Sequence, residues 1–334
     1  MAEPLDFTGK TILVVGGSSG IGNGIAHGFL SSGGNVHVTG TRAAQEYAAE
    51  EGSDLRGLHF HRFDATKHVN HTYDLSRTLP RTLDVVVLCQ GTVRYGREEF
   101  EREGWDVVMA VNLNSLMDCA RMVRPMLAER GGSLIVVSSV GAYHAMIGNP
   151  AYAASKAGAV SLVGSLAQAW AGEGIRVNGI APGLVPTKLT KVTTDNEERV
   201  AAAVARIPAG RMGTPQDMAG AALFLASPLA DYIVGQTIRV DGVVTSVCTE
   251  MGCWVAVKDK VTDQSVRFQA EHDGKIVFPI TLKGKSGSFQ GEFVRIAAND
   301  MEGHEAAAEH AQSEPKSADF GSRYQIKVTG AVVQ

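Results

Sequence analysis

From Thr11 to Val240 the chain alternates short β-branched runs with longer Ala-rich segments, and this alternation constrains the fold more than any other feature. The strand-like runs are Thr11–Val15, Val36–Thr39, Val85–Leu88, Leu134–Val137, Val177–Ile180 and Thr237–Val240. Helical periodicity fills the gaps, for example from Gly22 to Ser31 and from Tyr152 to Ala171. Strands that are apolar at every position must be covered on both faces, and intervening helices supply that cover. The expected fold is therefore α/β, a doubly wound parallel sheet, with Thr237–Val240 at or near an edge.

The first strand runs directly into Gly16-Gly17-Ser18-Ser19-Gly20-Ile21-Gly22, which opens the first helix. In that position each glycine has a separate task. Gly16 permits a sharp turn, Gly20 lets backbone approach a pyrophosphate, and Gly22 lets helix and strand pack closely. The free N–H groups and partial positive charge of the helix start suit phosphate oxygens. Gly16, Ser18, Ser19, Gly20, Ile21 and Gly22 are thus candidate dinucleotide contacts. The second strand ends Thr39-Gly40-Thr41-Arg42, without the Asp or Glu that holds a ribose 2′-hydroxyl in an NAD site. Thr41 and Arg42 suit a 2′-phosphate, because guanidinium donors match phosphate oxygens. The expected cofactor is NADP(H); NAD(H) is the alternative if Arg42 is only a solvated residue at a helix start.

Tyr152 and Lys156 are four residues apart on a helical pattern, so ring and ammonium are neighbours. A free phenol ionises near ~10, and a nearby positive charge moves it toward the working range of an acid–base group. Ser139 closes the run Val136-Val137-Ser138-Ser139, at the strand end where open α/β sheets place their ligands.

Further segments follow in a fixed order: Asp64, Cys89-Gln90-Gly91, Val111-Asn112-Leu113, Pro182-Gly183 with Thr187, Gly210–Pro215, Gly235-Gln236-Thr237 and Val240-Asp241-Gly242. Together with the glycine turn and the Tyr–Lys pair, they resemble the short-chain dehydrogenase/reductase family, close to its 3-oxoacyl-carrier-protein reductases. The resemblance covers residues 7 to 242. It implies a Rossmann-like sheet and a hydride transfer between a nicotinamide and a carbonyl or alcohol carbon. It further implies that Ser139 holds the substrate oxygen and that Tyr152 exchanges the proton with it. Lys156 would hold the nicotinamide ribose, and Asn112 would position a relay water. Asp64 would lie beside adenine, Gly91 against the cofactor, and Pro182, Gly183 and Thr187 around the nicotinamide. Ser138 is the neighbouring candidate for the oxygen-holding role. The chain departs from the family at Cys89-Gln90-Gly91, where Asn-Ala-Gly is usual. That change removes the Asn side chain that steadies the central strand.

The substrate walls implied by the family are Val140–Asn149 and Leu184–Pro208. His144, Met146 and Ile147 would make an apolar lining, and Lys188 and Lys191 either meet an anion or are simply solvated.

After Gly242 the Ala-rich periodicity stops. Short alternating runs follow at Trp254–Val257, Ser265–Phe268, Lys275–Phe278, Phe293–Ile296 and Tyr324–Val328. They predict a second, smaller and mostly antiparallel β domain over 243–334, joined with almost no linker to the 1–242 domain. Asn299–Ser322 reads as a helix or mobile excursion. Cys248 and Cys253 lie in Val-Cys-x4-Cys-Trp, which resembles a small bacterial β-domain family of undetermined function. These thiols are inert, form a disulfide, exchange redox equivalents, or bind a soft metal with His272, His304 or His310 as further ligands. Cys89 and Cys119 sit singly in apolar stretches and read as core side chains.

A net charge of -4 offers no broad basic surface for nucleic acid. No apolar run is long enough to span a bilayer, and Met1–Asp6 lacks the features of a signal peptide, so the expected compartment is the cytoplasm. The expected partners are a small-molecule carbonyl or alcohol and further copies of the chain, as a dimer or tetramer. Two other readings stand beside the enzyme: a metal- or thiol-redox module carried by residues 243–334, and a silent dinucleotide-binding scaffold. The presence of Asn112, Ser139, Tyr152 and Lys156 together disfavours the scaffold.

Overall fold

The computed structural model describes residues 4–48, 50, 52–67, 75, 78–207 and 209–240, and beyond them the backbone of five strands. The chain separates into two compact units, Met1–Val200 with Met212–Val240, and Ala201–Arg211 with Asp241–Gln334.

The first unit is built on a sheet of seven strands in the order β3-β2-β1-β4-β5-β6-β7. These are β1 (Thr11–Val15), β2 (Asn35–Gly40), β3 (His59–Arg62), β4 (Val85–Leu88), β5 (Ser133–Val137), β6 (Arg176–Pro182) and β7 (Thr237–Val240). Every neighbouring pair is parallel. Side chains alternate across the pleat, so each central strand feeds two cores. Ile12 and Val14 pack with Ile25 and Phe29 of α1 (Gly20–Ser31) and with Met218, Ala222 and Leu225 of α8 (Pro215–Ala226). Leu13 and Val15 face the other way, onto Leu116 and Val123 of α4 (Ser115–Ala128) and Val163 and Trp170 of α5 (Pro150–Trp170). This is the doubly wound sheet that the alternation predicts.

Two boundaries differ from the sequence reading. Helix α1 begins at Gly20, so the glycine turn itself forms its first residues. Helix α5 begins at Pro150, whose fixed φ and missing N–H suit the first helical position. Strand β3 was not expected, because His59-Phe60-His61-Arg62 is short and largely polar. It lies at a sheet edge, opposite the edge strand β7. The remaining α-helices among the described residues are α2 (Ala44–Ala48), α3 (Arg102–Met109), α6 (Lys191–Thr194) and α7 (Glu197–Val204).

Beyond Val240 the described strands are β8 (Val243–Val247), β9 (Trp254–Lys258), β10 (Ser265–Gln269), β11 (Gly287–Arg295) and β12 (Tyr324–Val333), in the order β11-β12-β10-β9-β8. Pairs β8–β9, β9–β10 and β11–β12 are antiparallel, while β10–β12 is parallel. Lys275–Phe278, Asn299–Ser322, and Cys248, Cys253, His272, His304 and His310 lie outside the described residues. Among the described residues no cluster of His, Cys, Asp or Glu is arranged to hold a metal, and no helix is long and apolar enough to cross a membrane.

Candidate active site

Strand order reverses between β1 and β4, and at such a switch point the loops beyond the strand ends diverge to leave a crevice. Gly16 lies there at φ +77, and a Cβ on it would sit 3.0 Å from the backbone of Gln90 in the loop after β4. A Cβ on Gly22 would stand 2.3 Å from the carbonyl oxygen of Gly16. Both glycines are therefore demanded by backbone meeting backbone. The Gly16 N–H donates to Thr39 Oγ1 at 3.0 Å, which ties the turn to β2. Ser19 caps α1 in an extended conformation with no side-chain hydrogen bond, leaving the amides of the first turn to other acceptors. One of them, Gly20 N–H, donates to the carbonyl of Gly52 at 3.0 Å. Thr187 lies over this turn, with its Cγ2 3.3 Å from a Cβ placed on Gly20.

At the adjoining end, Ser18, Thr41 and Arg42 gather around the hydroxyl of the buried Tyr47. Burial alone would raise that phenol, but hydrogen bonds with Ser18, Arg42 and Thr41 outweigh it and draw it down to about 8. The Arg42 guanidinium stacks on the Tyr47 ring at 4.3 Å and forms an ion pair with Glu50. Lys188 pairs with the same carboxylate. A carboxylate thus does reach Arg42, from eight residues further on rather than from the end of β2. Lys188, placed by the sequence reading on a substrate wall, instead faces the Arg42–Tyr47 group. Two cations converging on one carboxylate also have the donor set to hold a phosphate. Asp64 accepts from the Thr66 N–H and hydroxyl at 3.0 and 2.6 Å and lies 3.4 Å from Lys67 Nζ.

The catalytic candidates converge at the ends of β4 and β5. Lys156 is 4% exposed, and its Nζ donates to the carbonyl of Val137 at 3.0 Å. Desolvation draws its ammonium down to about 8, with the neighbouring Cys89 acting in the opposite sense. Nζ lies 5.8 Å from the centroid of the Tyr152 ring. Burial raises the Tyr152 phenol above its ordinary value, and a hydrogen bond with Ser139 opposes that rise. Ser139 Oγ also accepts from Gly141 N–H at 3.1 Å. Ser138 is turned away from this group: its hydroxyl is buried and donates to the carbonyl of Lys156 at 2.8 Å. Between the two serines, only Ser139 meets the phenol.

Asn112 is fully buried in a π-helical turn, Ala110–Asn114, between α3 and α4. Its Oδ1 accepts from Thr92 N–H at 2.7 Å, and its Nδ2 donates to Thr92 O at 2.9 Å and Ser155 Oγ at 3.1 Å. Ser155 Oγ in turn donates to the carbonyl of Tyr152 at 2.8 Å. Asn112 therefore ties the loop after β4 to the helix carrying Tyr152. A Cβ on Gly91 would lie 3.5 Å from Lys156 Nζ and 3.7 Å from Asn112 Oδ1, ordinary contacts that place Gly91 between the two side chains. Pro182 ends β6 at the same rim, Gly183 follows it, and Thr187 starts the next turn. There Tyr95 Oη donates to the carbonyl of Leu189 at 2.5 Å and links the two flanking loops. His144 and Ile147 are exposed, and Met146 is half-buried.

Sequence reasoning passed over Tyr47, Glu50, Gln90 and Glu99. Tyr47 and Glu50 look like ordinary members of an amphipathic helix. Glu99 is hidden in the acidic run Glu98-Glu99-Phe100-Glu101, whose natural reading is a solvated face.

Residues 15–245 match the family model described as Enoyl-(Acyl carrier protein) reductase. The 3-oxoacyl-[acyl-carrier-protein] reductase FabG of Chlamydia muridarum is 37% identical over 240 residues, which are 70% of this chain and 96% of the relative. The 2-dehydro-3-deoxy-D-gluconate 5-dehydrogenase of Bacillus subtilis is 35% identical, covering 72% of this chain and 96% of its own. A crystal structure of a gluconate 5-dehydrogenase from Burkholderia cenocepacia in complex with NADP and tartrate aligns with a TM-score of 0.64 at 30% identity, over 71% of this chain and 96% of that one. The chain belongs to the short-chain dehydrogenase/reductase family of oxidoreductases.

Proposed function

We propose that this protein is an NADP(H)-dependent carbonyl reductase or alcohol dehydrogenase acting on a small molecule. The observation that carries the reading is the convergence of Tyr152, Ser139 and Lys156 at the C-terminal ends of the central strands. The relative crystallised with NADP supports the choice of cofactor, as does the Arg42–Lys188 pair of cations beside Thr41 and Ser18. In this reading, the α1 turn (Gly16, Ser18, Ser19, Gly20, Ile21, Gly22) holds the pyrophosphate, and Arg42 and Thr41 take the 2′-phosphate. Asp64 flanks the adenine, while Gly91, Pro182, Gly183 and Thr187 border the nicotinamide half. The bound dinucleotide supplies the hydride for carbonyl reduction or accepts it in alcohol oxidation.

The chain's own residues handle the oxygen and the proton. Ser139 Oγ holds the substrate oxygen, and Tyr152 Oη gives it a proton as the carbonyl becomes an alcohol. The Lys156 ammonium stabilises the phenolate left behind, and with its value drawn down to about 8 it can return a proton near neutral pH. Asn112 keeps the loop and helix in register for this exchange. Residues 1–242 form the enzyme domain, and 243–334 a separate small β domain; the enzyme assembles as a dimer or tetramer.

The test is a ketone and alcohol screen with both cofactors. Tyr152→Phe is expected to lower turnover at least ~100-fold with NADPH binding retained. Unchanged turnover in that variant would refute the mechanism.

A further inference from the structure

Glu99 is the most deeply buried carboxylate of the described residues, at 1% exposure, although Glu98, Glu101 and Glu103 around it are exposed. Among the described residues no lysine or arginine ion-pairs with it. Three N–H donors meet its two oxygens instead. Oε1 accepts from the Arg94 N–H at 3.0 Å and from Asn149 Nδ2 at 3.2 Å. Oε2 accepts from the backbone N–H of Tyr152 at 2.8 Å. Asn149 is the N-cap residue of α5, and its side chain also donates to the Arg94 carbonyl at 2.8 Å.

We propose that Glu99 is a positioning residue for the acid–base step: it fixes Tyr152 by its backbone and sets a buried negative charge at the start of the same helix. This inference rests on the proposed role of Tyr152. The first half follows from connectivity. Tyr152 is the third residue of α5, one of the four whose N–H groups have no acceptor within the helix. The Asn149 side chain makes no capping bond to these amides. Glu99 performs that service from a different segment, so the start of the catalytic helix is held against the 94–99 loop. All three partners are donors, a pattern that a carboxylate satisfies and a carboxamide cannot, since its NH2 would face a donor.

The second half follows from charge. The groups facing Tyr152 are Lys156 on α5, Ser139 after β5, Cys89 after β4, Tyr95 in the flanking loop and Glu99. Lys156 favours the phenolate. Glu99 opposes it, in the same sense as Tyr95 and Cys89. A buried negative charge near the start of α5 also offsets the positive end of the helix dipole, which would otherwise favour phenolate. Burial is the larger reason that Tyr152 stays a proton donor at neutral pH, and the Glu99 charge adds to it against Lys156.

The experiment titrates the near-ultraviolet phenolate absorbance of the full chain, with and without NADP+, as the difference between each protein and its Tyr152→Phe counterpart. In Glu99→Gln the Tyr152 ionisation is expected to fall by about 0.5 pH unit or more. The acid limb of alcohol oxidation should move by the same amount, and kcat should fall while the KM for cofactor is retained. A Tyr152 titration that coincides with the wild type would overturn the proposal. If Glu99→Gln does not fold, Glu99→Asp retracts the carboxylate from the Tyr152 N–H by one methylene. It should shift the titration the same way by a smaller amount, and no shift there is equally fatal. The titration needs no turnover, so a wild type inactive on every substrate would sink the proposed reaction and leave this test standing.

Discussion

Replacing Lys156 by Met gives the sharpest quantitative test of the site, because it separates what the lysine does for catalysis from what it costs the fold. Desolvation draws the buried ammonium from 10.5 to about 8. Between those values the unfolded chain holds a proton that the folded chain has released, so stability rises with pH across that window. Below pH 8 the buried charge costs about 3 kcal/mol, and above 10.5 it costs nothing. Lys156→Met removes the charge and keeps an unbranched apolar stem of similar reach. It also strips the Val137 carbonyl of its donor, which takes back about 1–3 kcal/mol. At pH 7 the variant should therefore be about 1 kcal/mol more stable than the wild type while losing turnover. The cleaner quantity is the difference between the two proteins as pH changes, since groups common to both cancel. That difference should move in favour of the wild type by about 2 kcal/mol between pH 7 and pH 9.5. Urea unfolding without cofactor would measure it, followed by helical circular dichroism, because the described helices all precede Val240. A difference independent of pH would show that Lys156 is not a desolvated cation, and the reasoning would fail.

Three further outcomes are expected. Gly22→Ala places a Cβ 2.3 Å from the Gly16 carbonyl oxygen, a backbone atom that cannot rotate away. It should destabilise the chain by about 1–3 kcal/mol and weaken NADPH binding at least ~10-fold, read by nucleotide fluorescence. Arg42→Gln should weaken NADP(H) binding more than NAD(H), whereas Glu50→Gln, which frees Arg42 and Lys188, should tighten NADP(H) binding a few-fold. Equal effects on both cofactors in calorimetry would remove Arg42 from the 2′-phosphate. Ser139→Ala should lower kcat at least ~10-fold with cofactor affinity intact, while Ser138→Ala, which loses a buried bond to the Lys156 carbonyl, should mainly lower the unfolding midpoint.

The sheet was legible because its central strands are apolar at every position, and only a two-sided core explains that pattern. Strand β3 was not, because at the sheet edge His59-Phe60-His61-Arg62 carries no such signature. The Tyr152–Lys156 pair drew its weight from Ser139, Asn112 and the glycine turn rather than from its four-residue spacing, and the glycine turn drew its own from its place between strand and helix. What stayed hidden were contacts between segments far apart in the chain. Glu50 reaches Arg42 across eight residues, and Glu99 reaches Tyr152 across 53. Neither residue type is unusual where it stands, so local pattern cannot reveal what each touches. Lys188 meets an anion, one of its two readings, but the partner was hidden for the same reason: its long stem carries the charge to Glu50.

The departure at Cys89-Gln90-Gly91 shows how such hidden contacts compensate one another. The family resemblance leads one to expect an Asn at 89 to steady the central strand, and Cys89 offers only a thiol that burial holds up at about 12. The next residue takes over part of that work. Gln90 Nε2 donates to Ser115 Oγ at 3.1 Å, and Ser115 Oγ donates to the carbonyl of Val111 at 2.6 Å. Val111 belongs to the π-helical turn that carries Asn112, and such turns need outside support because their extra residue weakens the local ladder. The end of β4 is thereby joined to the turn that carries Asn112 by a side chain where the family usually has Ala. Asn112 then reaches Ser155, and Ser155 the carbonyl of Tyr152, while Glu99 holds the N–H of the same residue. Tyr152 is thus fixed at both of its backbone polar groups, by two networks that start from different residues of the loop after β4. A substitution that looks damaging at position 89 can be tolerated because neither network passes through it.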